Sequence, residues 1–347
     1  MQTITPSLSG KFAGKNVNTF RLVNKSGTEV IISNYGAIIL SFKIKKENGS
    51  MNDIVLGFDK PEDYLDEKYL QQYPMFGAAV GRYGNRIKSG KMEIDGVKYQ
   101  LPINIGTDHL HGGINGFDKK TWNIDSFDQE KNVLKLSLKS PDGDEGYPGN
   151  LNVSLTFTLN DNNELIHEYT ATTDQPTAVN LTHHSYFNLN NGKGRVDNHF
   201  IKIKASSILE QDENLTCNGN VINVTGTRFD FREPHRMAEQ WGSTPGYDQS
   251  FVIDKKGKEL TWAAEAWSDE SKTKLEVATS EPVVHFYTGI WIPTVTGKNN
   301  TPYSPYSAFC FETQVHPNAI NIPSFPNTVL RPGEVYTQKT IYRISNL

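Results

Sequence analysis

The side chains best able to do chemistry in this 347-residue chain fall in four short segments. Glu312 stands in the apolar, aromatic run Phe309-Cys310-Phe311-Glu312-Thr313-Gln314. A carboxylate in such surroundings costs free energy unless it is paired or its proton affinity rises. That makes Glu312 a candidate general base. A glutamate on the solvated face of an edge strand is the plainer alternative. Asn180 to Leu189 carries His183 and His184 side by side. Neighbours on a strand point to opposite faces, so the two cannot both face one pocket. Ser185 beside them marks no serine hydrolase, because no Gly-x-Ser-x-Gly elbow is present there. His109 and His111 share a side of an extended chain. A His-x-His pair on a strand suits zinc; one ring aimed into a cleft, or a surface loop, gives the same spacing. Gly81-Arg82-Tyr83-Gly84-Asn85-Arg86-Ile87 sets two arginines and an asparagine among glycines. Glycine permits close backbone approach, and Arg offers planar donors for hydroxyls or carboxylates. A turn with solvated arginines fits as well. Two smaller pieces, Gly246 to Phe251 with Asp248 and His285 to Gly289, join these four.

The elements that must hold these residues read as strands. Leu151 to Leu159 alternates apolar and polar at every position, the period of a strand with one buried face. Leu134 to Lys139 does the same, and Ser140 to Gly149 between them is dense in turn formers. The two runs are expected to be antiparallel neighbours. Thr19–Val23, Glu29–Ser33, Ile38–Ile44, Leu165–Ala171, Lys202–Ala205, Lys274–Ala278 and Val283–Tyr287 follow the same style. Helical pattern is scarce: Pro61 to Gln72 and Glu233 to Trp241 each predict a turn or two, with a proline near the start. Lys255–Glu259 and Gly297–Tyr303 read as exposed loops. Many strands, few helices and no βαβ rhythm predict an all-β, antiparallel sandwich, with residues 1–347 as one domain.

Composition narrows the function. Lys and Arg number 35 against 39 Asp and Glu, a formal charge of −4. Such a balance lacks the basic face that phosphate neutralisation demands, so no nucleic-acid partner is expected. The longest apolar run, near Ala37 to Leu40, is strand-sized, and no membrane partner is expected. Two cysteines cannot build a disulfide framework. Residues Met1 to Ser7 show no basic segment leading into an apolar one, which predicts a cytoplasmic chain; export follows instead if a leader has been cleaved.

Taken in order, these segments resemble the aldose 1-epimerases, the galactose mutarotases. The resemblance starts near Asn34-Tyr35-Gly36-Ala37 and continues through Gly81 to Ile87 and Leu110-His111-Gly112-Gly113. It takes in Asp142 to Gly149, Asn180 to Leu189, Tyr247-Asp248 and Phe286 to Gly289, and ends at Glu312-Thr313-Gln314. It implies a large β-sandwich with a sugar cleft, and interconversion of α and β anomers of a free hexose, galactose or glucose, without metal or organic cofactor. By resemblance the general base falls on Glu312 and the general acid on His184. Substrate-binding positions fall on Asn85, Arg86, His111 and Asp248, with His285 a further one, and the state expected is monomer or homodimer.

The chain departs from the family where His183 and His285 stand in place of the usual Asn and Gln, and where Gly84 replaces a common Ala. Three rivals differ in the residues they need. A phosphosugar epimerase would use Arg82, Arg86 and Lys88 on a phosphate. A non-catalytic sugar binder would have no use for a Glu312–His184 pair. A zinc hydrolase would gather His109, His111 and His183.

Overall fold

The computed structural model describes residues 7–12, 15–242 and 245–347; residues 1–6, on which most of the leader expectation rests, lie outside them. The strands form a nine-stranded sheet, a six-stranded sheet and an N-terminal five-stranded sheet, with small two-stranded ribbons between. All strand pairs in the three large sheets are antiparallel.

Alternation explains the layering. In strand Leu151–Leu159 every odd residue is buried, and strand Val133–Ser140 runs antiparallel beside it with Leu136 opposite Leu155. Those leucines and valines join one continuous apolar cluster with Phe251, Val284, Phe286, Phe309 and Phe311 from the six-stranded sheet. The two inner faces thus meet as in a sandwich. Phe311 and Phe286 lie opposite each other across adjacent strands, their rings 5.6 Å apart.

The other face of the six-stranded sheet carries the chemistry. Residues opposite each other on adjacent strands share a face. Ser250 pairs with His285 and His285 with Glu312. One step along, Asp248 pairs with Tyr287, Tyr287 with Cys310 and Cys310 with Tyr186. Two parallel rows of polar and aromatic side chains therefore line one patch of sheet. Strands Val283–Tyr287 and Phe309–Gln314 are buried at every position because both of their faces are covered.

Most expected strands are present, several with the predicted ends. Pro61 to Gln72 forms a 3-10 turn and a short α-helix, Glu67–Gln72, capped by the Asp66 carboxylate. Two expectations fail, the second in part. Glu233 to Trp241 is not helical: His235–Arg236 pairs with the sheet edge at Phe200 and Ile201, and the Arg236 guanidinium lies 4.8 Å from the Phe200 ring centre. A nine-residue helix nucleates poorly, and an open sheet edge offers its backbone ready partners. Gly297 to Tyr303 is an exposed loop only in part: Asn299, Asn300 and Pro302 are exposed, but its ends are buried. Lys298 buries its ammonium against Asp53 at 2.8 Å and the Leu40 carbonyl at 2.9 Å, and Tyr303 is buried beside it. Strand Lys202–Ala205 lies two residues earlier, at Phe200–Ile203. Among the described residues, no helix is long and apolar enough to cross a membrane.

Candidate active site

Over the two rows lies a cavity of about 380 Å³ lined by Asn85, Arg86, His111, His184, Asp248, His285 and Glu312, among others. Two larger clefts elsewhere are lined by carboxylates and lysines but by no histidine. Glu312 is only 1% exposed. Its Oε1 lies 3.5 Å from His184 Nε2, and no group among the described residues hydrogen-bonds its Oε2. The unpaired lone pairs of a buried carboxylate are thus left for a ligand.

His184 is set from three sides. Its ring stacks on Tyr186 with centres 4.9 Å apart, and Tyr287 presents an edge at 6.3 Å. Behind it, Nδ1 lies 3.6 Å from Cys310 Sγ. Burial raises the Cys310 pKa well above the ordinary thiol value, so a neutral thiol faces Nδ1, able to donate to it or to accept from it, while Nε2 points toward Glu312. His183 takes the opposite side, as alternation requires. It stacks on His167, lies near Ser185 Oγ and the Ala37 carbonyl, and is lowered to about 4 by burial.

His111 and Asn85 lock each other. The His111 N–H donates to the Asn85 carbonyl at 3.1 Å. The Asn85 N–H donates to His111 Nδ1 at 3.2 Å. Nδ1 is therefore an acceptor, and the ring proton sits on Nε2. Burial, with the nearby His184 and Arg86, holds the His111 pKa well below the ordinary value, so His111 is a neutral donor. The turn that carries it needs Gly112: φ is +83°, and a Cβ there would sit 1.9 Å from the Gly81 carbonyl oxygen. Arg86 lines the cavity with its buried Nε unpartnered. Asp248 accepts from His285 Nε2 at 2.8 Å. Burial alone would raise its pKa, but that hydrogen bond and the charges of His285, Arg86 and His184 hold it below the usual carboxylate range.

Residues 18–343 match the aldose 1-epimerase family. A galactose mutarotase of Rattus norvegicus is 41% identical over 352 residues, 99% of each chain. An aldose 1-epimerase of Escherichia coli is 35% identical over 98% of each. The crystal structure of an aldose epimerase homologue from C. elegans superposes with a TM-score of 0.87 at 32% identity, covering 95% of this chain and 99% of that one.

The chain belongs to the aldose 1-epimerase family. As an aldose 1-epimerase it is an isomerase that interconverts the α and β anomers of its sugar.

All seven expected site residues line this one cavity, whereas the rivals' sets disperse. Arg82 never reaches it. The guanidinium is buried and donates to Ser140 Oγ, Thr177 Oγ1 and the carbonyls of Ser140, Pro141 and Pro148. Lys88 pairs with Asp212 at 2.9 Å. Of the three cations a phosphate would need, Arg86 alone faces the pocket. His109 is spent on the Pro102 carbonyl and Tyr147 Oη, each at 2.7 Å, and His183 points away, so that zinc trio does not assemble. A different trio, His111, His184 and Glu312, has ligand atoms within 4.8 Å of one another. A cation among them would occupy the space between the imidazole and the carboxyl.

Supporting contacts went unread in the sequence. Glu145 accepts from the N–H groups of Ile114 and Asn115 at 2.7 and 3.0 Å, tying down the loop after His111. Trp291, 70% exposed, and Tyr73 stand at the cavity rim; a lone tryptophan in a loop carries no pattern that would reveal it. Gly84 leaves room for Gln314, since a Cβ there would sit 2.9 Å from its Oε1. Arg82→Met is expected to lower stability by about 3 kcal/mol in chemical denaturation, because three carbonyls lose a charged donor in a dry site. An unchanged midpoint with a raised KM would place Arg82 on the sugar instead.

Proposed function

We propose that Glu312 is the base and His184 the acid of this epimerase, and that free hexoses, galactose and glucose, are its substrates. The observation that carries the assignment is the 3.5 Å approach of His184 Nε2 to Glu312 Oε1 in a cavity lined with hydroxyl-binding groups. Mutarotation needs a proton removed from the C1 hydroxyl and one delivered to the ring oxygen. Both oxygens hang on one carbon, so acid and base must be close neighbours.

Glu312 takes the O1 proton as the electrons of that bond form the C1=O1 double bond. The C1–O5 bond breaks, and His184, entering as the imidazolium, delivers its Nε2 proton to O5 and is left as the neutral imidazole. Rotation about C1–C2 exposes the other face of the aldehyde. O5 then attacks C1, His184 takes back the O5 proton, and Glu312 returns its own to O1. Each group ends as it began, as a nearly thermoneutral reaction run in both directions requires. Positioned acid–base catalysis of this kind contributes about 10²–10⁴-fold. Neutral His111 and the Arg86 guanidinium supply donors where charge develops on oxygen. Asp248 accepts from a sugar hydroxyl, and Tyr186 and Tyr287 offer apolar faces.

The name galactose mutarotase borne by the rat relative supports galactose. The two buried free thiols, Cys217 and Cys310, suit a reducing compartment such as the cytoplasm. Polarimetry on freshly dissolved α-galactose and α-glucose, with a chelator present, tests the reading. Equilibration faster than in buffer is expected for both. No acceleration would leave a sugar-binding protein, and acceleration lost to the chelator would point to a metal at the His111–His184–Glu312 trio.

A further inference from the structure

His285 stands where a direct sugar contact was expected, yet neither ring nitrogen is free. Nε2 lies 2.8 Å from Asp248 Oδ1, and Nδ1 lies 2.9 Å from Ser250 Oγ. A carboxylate can only accept, so Nε2 carries a proton and donates it to Asp248. Ser250 is fully buried, and His285 is 2% exposed. Ser250, unlike His285 and Glu312, does not line the cavity, so its hydroxyl stays away from the sugar. Its side chain spans to the histidine directly across the sheet, their Cα positions being register partners.

We infer that His285 is a positioning residue: Ser250 fixes its ring, and the ring fixes Asp248 so that Oδ2 alone is offered to a sugar hydroxyl. Among the described residues, the hydrogen bond that the Asp248 carboxylate accepts, from His285, falls on Oδ1, and 15% of the Asp248 side chain remains exposed. The chain Ser250–His285–Asp248 has the partners of a hydrolase triad in a different order. The serine lies at the buried end, away from the substrate, so it serves orientation and not attack. The inference rests on reading Asp248 as a hydroxyl acceptor in the proposed reaction.

A double-mutant cycle tests it. His285→Ala is expected to raise the KM for galactose about ten-fold, the loss of one hydrogen bond to a charged group. In the Asp248→Asn background the same change is expected to move KM by less than about two-fold, because its effect passes through Asp248. Ser250→Ala is expected to raise KM about three-fold with kcat kept, and His285→Gln, which retains an N–H donor, to stay near wild type. A second readout does not depend on activity. The Asp248 carboxyl, followed by carbon NMR, is faced by His285, Arg86 and His184; its titration is expected to move up in His285→Ala. Multiplying KM effects in the cycle, or an unmoved Asp248 titration, would overturn the positioning role. A moved titration in a protein that does not mutarotate would instead sink the proposed reaction and leave the relay standing.

Discussion

Glu312→Gln is expected to lower kcat by at least about 10³-fold while leaving KM within a few-fold of wild type. The amide keeps the shape of the carboxyl and its place opposite His285, but it cannot take the O1 proton. The same change is expected to leave the fold as stable or make it more stable. Glu312 is buried, and its Oε2 has no partner among the described residues. A buried, incompletely satisfied carboxylate is a cost that the fold carries for activity. Paired denaturation and polarimetric curves check both halves. A variant that keeps its rate would dismiss Glu312 as the base. One that loses rate only because it has unfolded would assign it a structural part.

His184→Asn is expected to lower kcat by about 10²–10³-fold. Asparagine keeps a donor but cannot exchange a proton, so ring opening would depend on water to protonate O5. The loss of the stack on Tyr186 also frees space over the sheet, and a modest rise in KM is expected with it. Combined with Glu312→Gln, the two losses are expected to fall well short of multiplying, because acid and base act in one transition state. Full multiplication in the double variant would mean that the two residues serve separate steps.

Much of this site was legible because strand geometry is strict. The apolar run Phe309–Gln314 pointed to a buried glutamate over one on a solvated edge, and Glu312 is buried with its neighbours. The alternation of His183 and His184 forced one ring into the cleft and the other into the core, where it stacks on His167. Positions of strands such as Leu151–Leu159 followed from period two alone. Other features depend on contacts between segments distant in the chain, which local pattern does not encode. Arg82 and Arg86 look alike in sequence, yet Arg82 grips loops some sixty residues away while Arg86 lines the cavity. His109 and His111 also look alike, but the left-handed turn at His111 to Gly113 aims one ring at the cleft, and Tyr147 holds the other elsewhere. The strand at His235–Arg236 was misread as helix because its partner, an open edge at Phe200, is supplied by the fold. His285 could be placed at the site from the sequence, but its dependence on Ser250 and Asp248 emerges only when two strands are laid side by side.

The account stands on one carboxyl and one imidazole sharing a single hemiacetal. Saturation transfer between the α and β anomeric proton signals of galactose at equilibrium measures that exchange without any coupling enzyme. Wild-type protein is expected to transfer saturation far above the buffer rate, and folded Glu312→Gln protein to return it to the buffer rate. Transfer by the wild type no greater than in buffer, or transfer undiminished in the folded variant, would contradict it.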